Sequence, residues 1–191
     1  MTGWTRFWIG RATWPLAIVA VVALGAFTAA FIAGPETAWG RALAGGGGQL
    51  PEAQAGFPTG EPARSLEALR AADAMAGYVR FQAIDVGFTI LNVVACTSAI
   101  ALFLRKCGVA GGAAALLLLS PLLYCAAELI ENALLAGFAT TTLGATDALV
   151  RVQQTTTTVK LISFAAAALS AVVSLLGALV IDAVRMVRRG A

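Results

Sequence analysis

Three carboxylates, one ammonium, a phenol and several amides stand inside stretches otherwise built from Ala, Leu, Val and Ile. In LSPLLYCAAELIENALLAG (119–137), Tyr124, Glu128 and Glu131 recur at i, i+4 and i+7, and Asn132 follows one turn after Glu128. On an α-helix all four share a face. In the apolar stretch before it, Tyr78, Gln82, Asp85, Thr89, Asn92 and Cys96 recur at i, i+4, i+7, i+11, i+14 and i+18, an unbroken heptad stripe. The last apolar stretch carries a third stripe of Thr156, Lys160, Ser163, Ala167, Ser170, Ser174 and Gly177. Carboxylates in hydrocarbon are expensive unless paired, protonated or wetted. The stripes are therefore expected to face one another, bringing Asp85, Glu128, Glu131, Asn132, Gln82, Tyr124 and Lys160 together, with Asn92 further along the same face.

Three acids against one ammonium leave negative charge to be met by protons, a cation or water. Three roles fit such a cluster. It can glue helices together, where polar contacts average about 0.6 kcal/mol. It can form a pocket for a small ligand, a cation or protons, since ionisable groups inside a membrane mark such sites. Two carboxylates with Tyr124 can also do acid–base chemistry, although no nucleophile–base pair is discernible. The residues leave these open, with a non-enzymatic role leading and a lipid-active intramembrane enzyme as the alternative.

Other chemistry is poorly supplied. The chain has no histidine, which removes the usual haem, zinc and copper ligands and the commonest general base. Cys96, Cys107 and Cys125 lack CxxC spacing and read as small core residues. No metal or cofactor is expected. The Gly45–Gly48 run lacks the GK[ST] ending of a phosphate loop and reads as a linker.

The elements that must position the stripes follow from hydropathy. Of 191 residues 59% are hydrophobic and 12% charged, where a soluble domain has about 25% charged. The mean hydropathy is +0.84. The net charge of +3 is spread over segment ends, which fits membrane topology and not nucleic acid. Four helices are expected at about 14–33, 78–104, 112–137 and 156–184. An uncleaved first helix is preferred to a signal peptide, whose apolar region would be shorter, and its Gly25 and Thr28 give a small face for packing against a partner. The 34–77 loop opens on Gly34-Pro35, contains Pro51 and Pro58, and is expected to be irregular until an amphipathic surface helix from Pro62 to Met75. Pro121 should kink the third helix or free a carbonyl near Tyr124. The 138–154 stretch reads as a polar connection, and Thr155–Thr158 as a helix start with hydroxyls bonded back to the backbone.

Arg6, Arg11, Arg105, Lys106, Arg185, Arg188 and Arg189 fall on one side in short segments, which predicts both termini in the cytoplasm. With that topology Asp85 lies about 10 Å, Glu131 about 9 Å, Glu128 about 14 Å and Lys160 about 8 Å below the outer ends of their helices, one common layer. Arg80 and Arg151 would sit at its rim. The expectation is an all-α polytopic protein, an antiparallel four-transmembrane-helix bundle forming one domain over 1–191, in a bacterial inner membrane. Its partners would be the lipid bilayer and other membrane subunits.

The stretches RSLEALRAADAMAGYVRFQAIDVGF (64–88) and AELIEN (127–132), with Lys160 opening the last helix, resemble a group of uncharacterised, mostly bacterial, four-helix integral membrane proteins. That group shows a Tyr-x-x-Phe-x-x-x-Asp run, an acid-x-x-Glu-Asn motif and a Lys at the start of helix four. The corresponding positions are Tyr78, Phe81, Asp85, Glu128, Glu131, Asn132 and Lys160. Here Glu128 stands where Asp is more usual and Thr89 where Pro is expected. The resemblance covers about half the chain through short motifs. It implies the fold and the polar cluster, and no activity.

Overall fold

A computed structural model of the chain describes residues 3–32, 38–45, 50, 60–141 and 143–190. Among them all regular structure is helical: α1 Gly3–Arg11, α2 Trp14–Ile32, α3 Ala38–Gly45, α4 Gly60–Ala71, α5 Met75–Cys107, α6 Gly112–Leu117, α7 Leu119–Ala139 and α8 Asp147–Gly190. Four stretches are long and apolar enough to cross a membrane: Trp14–Phe31, Met75–Cys107, Gly112–Ala139 and Asp147–Arg189.

Local chemistry sets the boundaries. The Thr13 hydroxyl accepts from the Leu16 N–H at 3.5 Å, and Pro15 occupies the first turn of α2, where its missing N–H costs nothing. Pro121 cannot donate to the Leu117 carbonyl four residues back. The Ser120 hydroxyl donates to that carbonyl instead, at 3.4 Å, and the helix breaks at Leu118, separating α6 from α7. The expected disturbance thus falls before the proline and not at Tyr124. α8 starts eight residues before Thr155, because the Thr146 hydroxyl caps it, accepting from Leu149 N at 3.4 Å, with Asp147 in the first turn. The region expected to be a connection up to Gln154 is therefore largely helix. In the loop after α2, Ala38–Gly45 is helical where irregular chain was expected. Gly34, Pro35, Gly46–Gly48, Pro51 and Pro58 lie outside the described residues.

The chain divides into two compact units. One comprises 1–24, 91–124 and 163–191. Its core holds Trp8, Ala12, Ala17, Ala101, Leu102 and Ala178, and a second cluster around Ile100, Leu104, Leu118 and Ala167. Gly177 lets the Phe103 ring lie directly on α8, where a Cβ would collide with it. Polar ties gather at one end of this unit. Arg105 Nη1 donates to the Ala12 carbonyl at 2.7 Å, and Lys106 Nζ meets Asp182 at 2.5 Å. Trp14 Nε1 also donates to Asp182, at 2.7 Å, and Arg185 Nη2 donates to the Lys106 carbonyl at 3.0 Å.

The other unit comprises 25–90 and 125–162. Phe31, Leu66, Leu69, Tyr78, Phe81, Leu135 and Phe138 form its core, with Phe31 and Phe81 stacked at 5.2 Å between centroids. α4 buries Leu66 and Leu69 and exposes Glu67 and Arg70, the face expected of an amphipathic helix. Arg70 Nη2 donates to the Phe138 carbonyl at the end of α7, at 3.3 Å. α4 ends in a Schellman turn: Ala74 N donates to Leu69 O at 2.8 Å and Asp73 N to Arg70 O at 3.1 Å. Asp73 takes the left-handed position at φ 52°, one of the few non-glycine residue types that does so readily.

Candidate functional site: a buried acid cluster

The second unit holds a side-chain network built by α5, α7 and α8. α5 presents the stripe read from its sequence, and Tyr78, Gln82, Asp85, Thr89, Asn92 and Cys96 are all buried. Thr89 spends its hydroxyl locally, donating to the Asp85 carbonyl at 3.0 Å. α7 contributes Glu128, Glu131 and Asn132, and α8 contributes Gln153, Thr157 and Lys160.

Glu131 is the centre. It is 0% exposed, and both of its oxygens face α8. Oε1 accepts from Gln153 Nε2 at 3.2 Å and from the Thr157 hydroxyl. Oε2 pairs with Lys160 Nζ. The same ammonium reaches Glu128 Oε1 at 3.4 Å, so one cation bridges two carboxylates one turn apart. Gln153 Nε2 also donates to Thr157 Oγ1 at 2.8 Å. Glu131 therefore fixes the Gln153 amide with its NH2 toward the carboxylate.

Asp85 enters from α5. Its Oδ2 accepts from Asn132 Nδ2 at 3.0 Å, and its carboxyl lies near enough to that of Glu128 to interact with it electrostatically. Asp85, Glu128, Glu131, Asn132 and Lys160 thus form one connected set. Gln82 is buried in the same unit, one turn before Asp85 on the α5 stripe. Tyr124 and Asn92 are buried but fall in the other unit, where the Tyr124 ring packs on Phe164 at 5.2 Å. Arg80 and Arg151 are exposed.

Two members were missed by sequence reasoning. Gln153 lay in the supposed connection, and Thr157 stands where Thr156 was expected. The signal was available, because Gln153, Thr157 and Lys160 are spaced i, i+4, i+7. Thr156 instead donates to the Val152 carbonyl at 2.8 Å, as its neighbours Thr155 and Thr158 do to Arg151 and Gln154. The expected back-bonding occurs, but inside a helix and not at its start. Cys96 is buried and Cys125 half-buried, whereas Cys107 is exposed, against the expectation of three core cysteines.

Chemically, the set can hold charge and protons, and it locks three helices in register. Among the described residues no group of histidine, cysteine and carboxylate side chains has the arrangement of a metal site. No family model matches the sequence, and no characterised protein or solved structure is significantly similar to it.

Proposed function

We propose that the protein is a non-enzymatic, membrane-embedded module whose buried acid cluster binds protons, acting as an ion-binding element or as an accessory subunit of a larger membrane complex. The observation that carries this reading is the charge count. Asp85, Glu128 and Glu131 are all buried, and among the described residues Lys160 supplies the positive charge that meets them. Buried carboxylates beside one another repel unless a proton or a cation is held between them. Binding is favoured over catalysis because the carboxylates are engaged by Lys160, Asn132, Gln153 and Thr157. The unit's large cavity is lined by none of them.

The same reading places the four apolar helices as an antiparallel bundle in a bacterial inner membrane with both termini in the cytoplasm. The Lys and Arg bias supports that orientation. So do the ties in the first unit, which gather the start of α2 and the ends of α5 and α8. The resemblance to the bacterial four-helix group points the same way.

Infrared spectroscopy of the protein in lipid at neutral pH tests the proton. A protonated-carboxyl C=O stretch is expected, and it should be lost in Asp85→Asn and in Glu128→Gln. A wild-type spectrum with ionised carboxylates alone would refute proton binding.

A further inference from the structure

The second unit contains a cavity of about 780 Å³ that the acid cluster does not use. One part of its wall is apolar, from Phe27 and Phe31 near the end of α2 and Ile84 on α5. Another part is charged: Arg41 on α3, Arg80 on α5 and Asp73 in the turn after α4 all line it. We propose that this cavity binds a phospholipid whose head group carries both a phosphate and a primary ammonium.

The wall dictates the class of ligand. Guanidinium forks match phosphate oxygens in geometry and charge, and two of them line one space. Asp73 would repel a purely anionic head group but would pair with an ammonium a few atoms from the phosphate. Its backbone is fixed by the Schellman turn. Phe27, Phe31 and Ile84 offer the apolar surface that an acyl chain covers and a free phosphate would leave unused. The location agrees, since Phe27 and Phe31 close the apolar span Trp14–Phe31, the level at which hydrocarbon gives way to head groups. A cavity within the usual ligand range of roughly 300–1,000 Å³ holds a head group and the upper part of a chain, with the remainder left in the bilayer.

This inference rests on the membrane placement proposed above and not on the proton-binding role of the acid cluster. Its test uses delipidated full-length protein in detergent. Phosphatidylethanolamine, phosphatidylglycerol of the same chains, and inorganic phosphate are added separately and binding is read by native mass spectrometry. Phosphatidylethanolamine should bind about tenfold more tightly than phosphatidylglycerol, the worth of one charge-assisted hydrogen bond. Asp73→Asn keeps a residue type suited to the left-handed turn, and should erase that preference without lowering phosphatidylglycerol binding. Arg41→Gln and Arg80→Gln, both at exposed positions, should each weaken both lipids by about tenfold. Equal binding of the two lipids by wild type, or unchanged binding in the Arg41→Gln/Arg80→Gln double variant, would overturn the proposal. So would inorganic phosphate binding as tightly as lipid. Recovery of the protein in the soluble fraction of lysed cells would remove the membrane placement as well, whereas membrane-bound protein without lipid preference removes this inference alone.

Discussion

Lys160→Met is the most incisive perturbation of the cluster. Lys160 is buried and bridges Glu131 and Glu128. Methionine keeps the unbranched stem and deletes the ammonium, so three buried carboxyls lose the cation that faces them. Removing one partner of a buried ion pair costs about 3–5 kcal/mol, because the stranded charge keeps its desolvation penalty. At about 2–4 °C per kcal/mol for a chain of this size, the melting temperature should fall by roughly 6–20 °C. Glu131→Gln is milder, at about 1–2 kcal/mol: its amide oxygen still accepts from Thr157, and Lys160 keeps Glu128 at 3.4 Å. The Lys160→Met/Glu131→Gln double variant removes one charge of each sign and should recover at least half of the Lys160→Met loss.

The assay is thermal unfolding in one detergent, followed by helical circular dichroism, for wild type, both single variants and the double variant. Non-additivity isolates the pair. The Lys160→Met deficit should also shrink as the pH falls. Stranded carboxyls that take up protons in the folded state leave it holding more protons than the unfolded chain, and such a state gains stability on acidification. A Lys160→Met protein that melts within about 2 °C of wild type, or a double variant whose loss is the sum of the singles, would refute the pairing.

Three further outcomes follow from named contacts. Thr157→Val and Gln153→Leu each remove a donor to the fully buried Glu131 and should destabilise by about 1–3 kcal/mol in the same thermal assay. Gly177→Ala places a methyl in the Phe103 ring; overpacking of about 1–3 kcal/mol outweighs the helix propensity gained, of about 1 kcal/mol. The single variant should therefore be less stable than wild type, and the same change in a Phe103→Leu background should be stabilising. Cys107 is exposed and Cys96 buried, so a membrane-impermeant maleimide should label Cys107 and spare Cys96. Labelling of Cys107 in inside-out but not right-side-out vesicles checks the orientation proposed for the basic end.

What the sequence made legible is a matter of period and of caps. The α5 stripe could be read in full because six polar side chains mark one face at helical spacing, and all six are buried. On α8 the same method slipped. Thr156 and Thr157 both lie one turn before Lys160, at i−4 and i−3, on opposite edges of its face, and spacing alone does not choose between them. Burial selects Thr157, and likewise Ala171 over Ser170 and Ala178 over Gly177. Gln153, seven residues before Lys160, was within reach of the same repeat but lay in the stretch read as a connection. The start of α8 was hidden for a different reason. Hydropathy finds where a helix becomes apolar, whereas a helix begins where its first N–H groups find an acceptor, here Thr146.

The division of the polar residues into two units was the least legible feature. Spacing says which residues share a face, and nothing in it says where along that face packing changes partners. Gln82 and Asp85 lie in one unit and Asn92 in the other, although one stripe carries all three. Tyr124 and Glu128 divide in the same way on α7. A continuous helix pointing an unbroken polar face at two separate sets of neighbours looks identical, in sequence, to one facing a single site. Only side-chain reach resolves it. Lys160 spans to both Glu128 and Glu131, and Asn132 reaches Asp85. The acid cluster is defined by those three contacts and not by the stripes that announced it.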